Sequence, residues 1–130
     1  MPENTMMTPP GREGFATVTP YLVVEDLERY LAFLETSFDA EVTHRTTGEG
    51  GGSHVEVRIG DSQVMIGESQ ETTNSVYLFL YVADADAVYR HAVESGAESV
   101  MRPADGRFGE KRGAAVRDPQ GHSWFIGQHR

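Results

Sequence analysis

Cysteine is absent from the chain. Disulfides, thiolate zinc sites, iron–sulfur clusters and cysteine nucleophiles are excluded together, while the redox compartment stays undetermined. Positive charge is scarce: 11 Lys and Arg against 20 Asp and Glu leave a formal net charge of −9. Such a surface repels phosphate backbones and anionic headgroups, so neither nucleic acid nor a membrane is an expected partner. Long apolar runs are missing too, and nothing approaches the roughly 20 residues of a membrane span. The opening MPENTMMTPPGREG lacks the apolar stretch of a signal peptide, so a cytoplasmic location is expected. What remains is 130 residues, 38% of them hydrophobic, enough for one core and too few for two independent ones.

Residues 1–14 mix Pro, Gly, Thr and charge without periodicity and read as a flexible tail before one domain over 15–130. ATVTPYLVV (16–24) reads as a strand, and Asp26 is placed to cap the helix after it. Leu27, Tyr30, Leu31, Leu34 and Phe38 recur at spacings of three and four, giving one apolar helical stripe. A strand near 40–46, the loop GEGGGS (48–53) and a hairpin follow, with HVEVRI (54–59) and Val64–Ile66 as arms around Gly60–Asp61. After the polar linker 68–74 the pattern restarts. SVYLFLYV (75–82) reads as a strand, Asp84 or Asp86 caps a helix, and Gly96 ends it. A strand near 98–102, the loop PADGRFGEKR (103–112), strand 113–117, the turn Asp118–Gly121 and strand 122–127 complete the chain.

YLVVEDLERYLAFLETSFDAEV (21–42) aligns with FLYVADADAVYRHAVESGAESV (79–100), and RIGDSQVMIG (58–67) with RDPQGHSWFIG (117–127). The chain therefore reads as an α+β fold of two tandem βαβββ modules, module one over 15–68 and module two over 75–128.

That plan, together with VVEDLERYLAFL, VADADAVYRHAVESGAE and RDPQGHSWFI, resembles the vicinal oxygen chelate superfamily. Its members include glyoxalase I, extradiol dioxygenases, fosfomycin-resistance enzymes and bleomycin-resistance proteins. HVEVRIGDS and the D-P-x-G-H-x-W ending look most like its PhnB-like subgroup. The resemblance covers about residues 16–128 and implies curled mixed sheets around a concave cavity, with helices on the convex side. It also implies a homodimer, since relatives pair sheet edges and helix faces.

Metal-dependent relatives carry His or Glu at four concave positions, and the resemblance assigns these to Thr19, Met65, Tyr77 and Phe125. None is a good ligand for a divalent ion, so no metal and no other cofactor is expected. His44, His91 and His129 read as surface or packing residues, and His122 as a partner of its turn. His54 shares strand parity with Glu56 and Arg58, opposite Val55, Val57 and Ile59. With the valines under the helices, the polar trio faces the concavity. On the same parity Thr19, Tyr21 and Val23, then Tyr77, Phe79 and Tyr81, join Met65 and Phe125 in an aromatic-lined cup. Lys111 and Arg112, in FGEKRG, are candidates to meet an anionic group. GEGGG lacks the strand-to-helix setting of a phosphate loop, and no nucleophile elbow occurs.

The first functional expectation is a metal-independent protein binding a small, partly aromatic or apolar metabolite or antibiotic. The alternative is a metal-free isomerase, epimerase or cyclase in which Glu56 or His54 is the acid/base, with burial raising the Glu56 pKa. A third is a lyase or dioxygenase with non-standard ligands, for which the sequence offers no third donor beside His54 and Glu56.

Overall fold

The computed structural model describes residues 12–47, 53–71 and 74–130; the GEGGG tip and most of the N-terminal tail lie outside them. The elements run β1 (Tyr21–Val24), α1 (Leu27–Phe38), β2 (Glu41–Thr47), β3 (Ser53–Ile59), β4 (Ser62–Glu68), β5 (Tyr77–Tyr81), α2 (Ala85–Glu94), β6 (Glu98–Asp105), β7 (Arg112–Arg117) and β8 (Ser123–Gln128). They make two mixed four-stranded sheets, ordered β1-β4-β3-β2 and β5-β8-β7-β6. In each sheet the first strand is parallel to the last and the other pairs are antiparallel. The βαβββ order thus occurs twice, as the internal alignment predicts.

Local chemistry sets the helix ends. The Asp26 carboxylate accepts from the Arg29 N–H at 3.2 Å, and Glu68 accepts from the Leu27 N–H at 3.0 Å. Two of the four donors that a helix start leaves unpaired are thereby satisfied. In α2 the cap is Asp84, which accepts from Ala87 N–H at 3.1 Å, while Asp86 turns to Arg112. Gly96 follows with φ +112°, a region open to glycine, and the Ala97 N–H closes the helix on the Ala92 carbonyl at 2.9 Å.

Two boundaries differ from expectation. β1 begins at Tyr21, not at residue 16, because Pro20 has no N–H to donate. The Thr19 hydroxyl closes a turn on the Ala16 carbonyl at 3.0 Å, and Pro20 contributes only its carbonyl, to Met65 N–H at 2.9 Å. β6 runs to Asp105, which shortens the loop after it to a 3₁₀ turn at Arg107–Gly109 and its flanks.

Period two puts Leu22, Val24, Val55, Val57 and Ile66 on the sheet face that packs against Leu27, Tyr30, Leu31 and Leu34, all buried. In module two Leu78 and Leu80 are half-buried against the same core, which also holds Val116, Trp124 and Ile126. The modules are stapled by the turn after β7. The buried Asp118 carboxylate accepts from the Tyr30 hydroxyl (2.6 Å), the Trp124 indole N–H (2.9 Å) and the backbone N–H of Gln120 (2.9 Å) and His122 (3.0 Å). Burial, and then the Asp118 charge, push the Tyr30 phenol well above its ordinary pKa. His122 is fully buried, and its Nδ1 accepts from Val76 N–H at 3.2 Å. Its Nε2 lies 3.2 Å from the Val23 carbonyl, which needs a donor, so the ring is neutral with its proton on Nε2. The backbone of His122 pairs with Asp118 at the turn, but its ring does not serve the turn as expected; it bridges Val23 of module one and Val76 of module two.

Candidate functional site

The side chains opposite the core lie on two sheet faces. On the face of module one, strand register sets Tyr21 beside Met65, Met65 beside Glu56, and Glu56 beside His44. One row along, Gly67 lies beside His54. Tyr21 stacks on His54 with centroids 5.6 Å apart. The phenol lies across Gly67, where any Cβ would collide with it. Glu56 is only 3% exposed. Its oxygens receive a bidentate pair from Arg12 at 2.7 and 2.8 Å, and His54 Nε2 lies 3.3 Å away. The Arg12 guanidinium also rests over the Phe15 ring, 4.1 Å from its centroid. Arg58 is exposed and paired with Glu41 on β2 at 2.9 Å.

Burial was expected to raise the Glu56 pKa. It is instead lowered, chiefly by the Arg12 hydrogen bonds, which outweigh desolvation, with a further contribution from His54. Arg12 therefore favours the ionised carboxylate and weakens it as a proton acceptor.

On the face of module two, Tyr77 stacks on Phe125 (5.9 Å), Phe79 packs on Tyr81 (4.7 Å), and Phe108 meets both Phe125 (5.2 Å) and Phe79 (5.8 Å) edge-on. Beneath them the backbone is bare. Ala115 is the register partner of Phe125, and Gly113 that of Gly127. A Cβ on Gly127 would lie 2.6 Å from the Phe79 ring, and one on Gly113 would lie 2.9 Å from Phe108. Phe108 itself holds φ +60°, ψ 20°, a left-handed conformation that a bulky side chain seldom adopts. The rings stay open to solvent, Tyr77 at 72% and Tyr81 at 65% exposure. Glu110 joins Tyr81 to His129, which it contacts at 2.6 Å; its pKa is lowered by His129 first and Tyr81 after. Arg112 is spent on Asp86 and Asp105, leaving Lys111 as the exposed cation of that loop.

The structure thus gathers Tyr21, Met65, His54, Glu56 and Arg58 on one face and Tyr77, Phe79, Tyr81 and Phe125 on the other. Among the described residues no ring contact crosses between the two sets. Thr19 lies ahead of β1, half-buried. A groove of about 590 Å³ runs between the end of α1, the Ile59–Ser62 turn, the edge of β5 and α2; of the expected site residues only Phe79 and Tyr81 border it. Among the described residues no three His, Asp or Glu side chains converge as a metal site. Tyr77 and Phe125, which face each other as stacked rings, do not fit a divalent ion either. Sequence reasoning missed Arg12, His44 and Phe108 as members of these faces. Only Phe108 carried a signal, its place in the flagged FGEKRG loop.

The fold has known counterparts. A family model described as "Glyoxalase/Bleomycin resistance protein/Dioxygenase superfamily" matches residues 14–126. Uncharacterized proteins of Mycobacterium bovis and Mycobacterium tuberculosis are 33% identical over 125 residues, spanning 85% of this chain and 82% and 73% of theirs. Among solved structures, TioX from Micromonospora sp. ML1 superposes with a TM-score of 0.69 at 22% identity, over 87% of this chain and 95% of its own. The fosfomycin resistance protein FosX from Listeria monocytogenes gives 0.72 at 18% identity, over 87% and 93%. The chain belongs to the glyoxalase/bleomycin resistance protein/dioxygenase superfamily.

Proposed function

We propose that the protein binds a small, partly aromatic or apolar molecule without a divalent metal, on the aromatic face of module two. The observation that carries this is the solvent-open cluster of Tyr77, Phe79, Tyr81, Phe108 and Phe125 over bare Gly113, Ala115 and Gly127. An acidic, water-facing protein leaves contiguous apolar rings exposed where something covers them. A flat ligand gains both buried area and ring stacking there. A superfamily structure, a FosX variant from Listeria monocytogenes, holds Mn(II) and a dihydroxypropylphosphonic acid. Here the aromatic side chains of Tyr77 and Phe125 argue for ligand contact in place of metal ligation.

The face of module one is the complementary wall. Each face is one-sided, so a homodimer that sets one against the other would close a cavity with Tyr21, Met65, His54, Glu56 and Arg58 as its polar side. The acid/base reading of Glu56 or His54 is the weaker one, because Arg12 lowers the pKa that such a base needs raised. A metal-dependent lyase or dioxygenase lacks converging donors among the described residues.

The test is calorimetric titration with small aromatic probes, indole and naphthalene sulfonate, against the wild type and Phe125→Ala. Binding by the wild type, weakened by about 0.5–1.5 kcal/mol plus the lost buried area in the variant, supports the reading. No binding, or equal binding to both, refutes it. A monomer mass in light scattering at micromolar concentration refutes the dimer.

A further inference from the structure

Glu56 is a buried carboxylate whose main partner comes from outside the regular fold. Its side chain is 4% exposed, while that of Arg12 is 55% exposed. Arg12 stands 44 residues away, in a stretch with neither helix nor strand. The nearby cations do not replace it. Arg58 is engaged by Glu41, His54 touches a single carboxylate oxygen at 3.3 Å, and His44 stands opposite Glu56 on β2. Around the guanidinium stand Phe15, and beyond Glu56 the stacked Tyr21 and His54.

We propose that Arg12 is a tethered stand-in for a ligand, and that the face of module one takes an organic cation bearing a planar amidine or guanidine group, which displaces Arg12 from Glu56. The proposal rests on the small-molecule reading above and names the class of ligand. A planar, forked donor matches both oxygens of one carboxylate, as the Arg12 distances of 2.7 and 2.8 Å show. Aromatic walls beside that carboxylate favour a flat cation over a compact ammonium. The net charge of −9 draws cations toward the molecule. Displacement is feasible because, among the described residues, the Arg12 guanidinium is held by this carboxylate and the Phe15 ring, while its carbonyl accepts from the Phe15 N–H at 3.0 Å, so releasing the side chain moves no helix or strand. The tether also sets the competition: while Arg12 occupies the carboxylate, the apparent affinity of any free cation is reduced by the fraction of time the carboxylate is vacant.

Benzamidine is the probe, titrated by calorimetry and by NMR shifts of the His54 ring. Arg12→Ala is expected to bind it about tenfold more tightly than the wild type, because the competitor is gone. Arg12→Ala combined with Glu56→Gln, which keeps the shape and removes the charge, is expected to lose that binding. Benzyl alcohol, the uncharged counterpart, is expected not to respond to either change. The proposal is overturned if benzamidine binds wild type and Arg12→Ala alike, or if the Glu56→Gln variant retains the binding. If benzamidine fails on every variant while indole still binds the face of module two, the cation proposal fails and the small-molecule reading stands. If neither binds, both fail.

Discussion

The two modules repeat one plan and end with opposite faces. Corresponding positions show how little is needed. In each, an aromatic ring of the first strand lies over a glycine of the last: Tyr21 over Gly67, Phe79 over Gly127. In each, an exposed cross-strand pair joins the outer strands, Arg58 with Glu41 and Arg117 with Glu98. The difference sits at two places between them. Where module one has His54 and Glu56, register places Gly113 and Ala115 in module two. Glu56 attracts Arg12 and is covered by it. The small pair leaves bare backbone, onto which Phe108 folds. Period two dictates which side chains share a face; what the face becomes is decided by two residues on its third strand.

The largest expected effect comes from cutting the staple that lets the faces be compared at all. Asp118→Ala strands the Tyr30 hydroxyl, the Trp124 N–H and the backbone donors of Gln120 and His122 in the core. A loss of about 3–5 kcal/mol in urea denaturation is expected, the scale for breaking a buried charged network. Next, Ala115→Glu places the carboxylate of module one in module two, opposite the Phe125 ring. About 2–4 kcal/mol should be lost at pH 7, and part of it recovered near pH 5, where the neutral acid costs less to bury. Gly127→Ala pushes a methyl into the Phe79 ring and should cost about 1–3 kcal/mol, with large NMR shifts of the Phe79 and Phe125 rings.

The smallest effect is the acid response of module one. Arg12 lowers the folded-state pKa of Glu56, so the pair stabilises the protein above the ordinary glutamate range. That contribution is lost as pH falls through the lowered value. Denaturation midpoints of the wild type should therefore drop more between neutral pH and acid than those of Arg12→Ala, and equal slopes would show that the pair does not contribute.

The helices and the duplication were readable because their signals are local: a capping aspartate, a glycine after the helix, one apolar stripe. Parity was readable for the same reason, and it placed His54, Glu56 and Arg58 together on the face away from the core. The state of Glu56 was not readable. It is fixed by Arg12, inside a Pro- and Gly-rich stretch with no periodicity, across a separation that no pattern of neighbours encodes. His44 read as a surface or packing residue because its position opposite Glu56 depends on the irregular register between Val42 and His44. Phe108 needs a left-handed backbone that its residue type argues against. The start of β1 was misplaced because the apolar run continues through a proline that cannot pair.

The Asp118 turn also governs the order in which the chain acquires its shape. Tyr30 finds its partner 88 residues later, and the Glu25 N–H meets Gln120 after 95. As the polypeptide leaves the ribosome, α1 emerges long before the carboxylate that its buried phenol requires. Module one therefore stays provisional, with an unsatisfied hydroxyl in its core, until nearly the last strand has been made. Contacts of such long sequence separation slow folding and couple both halves into one late, cooperative step. A nascent chain arrested within module two should remain open to protease, and release of the final strand should close both modules together.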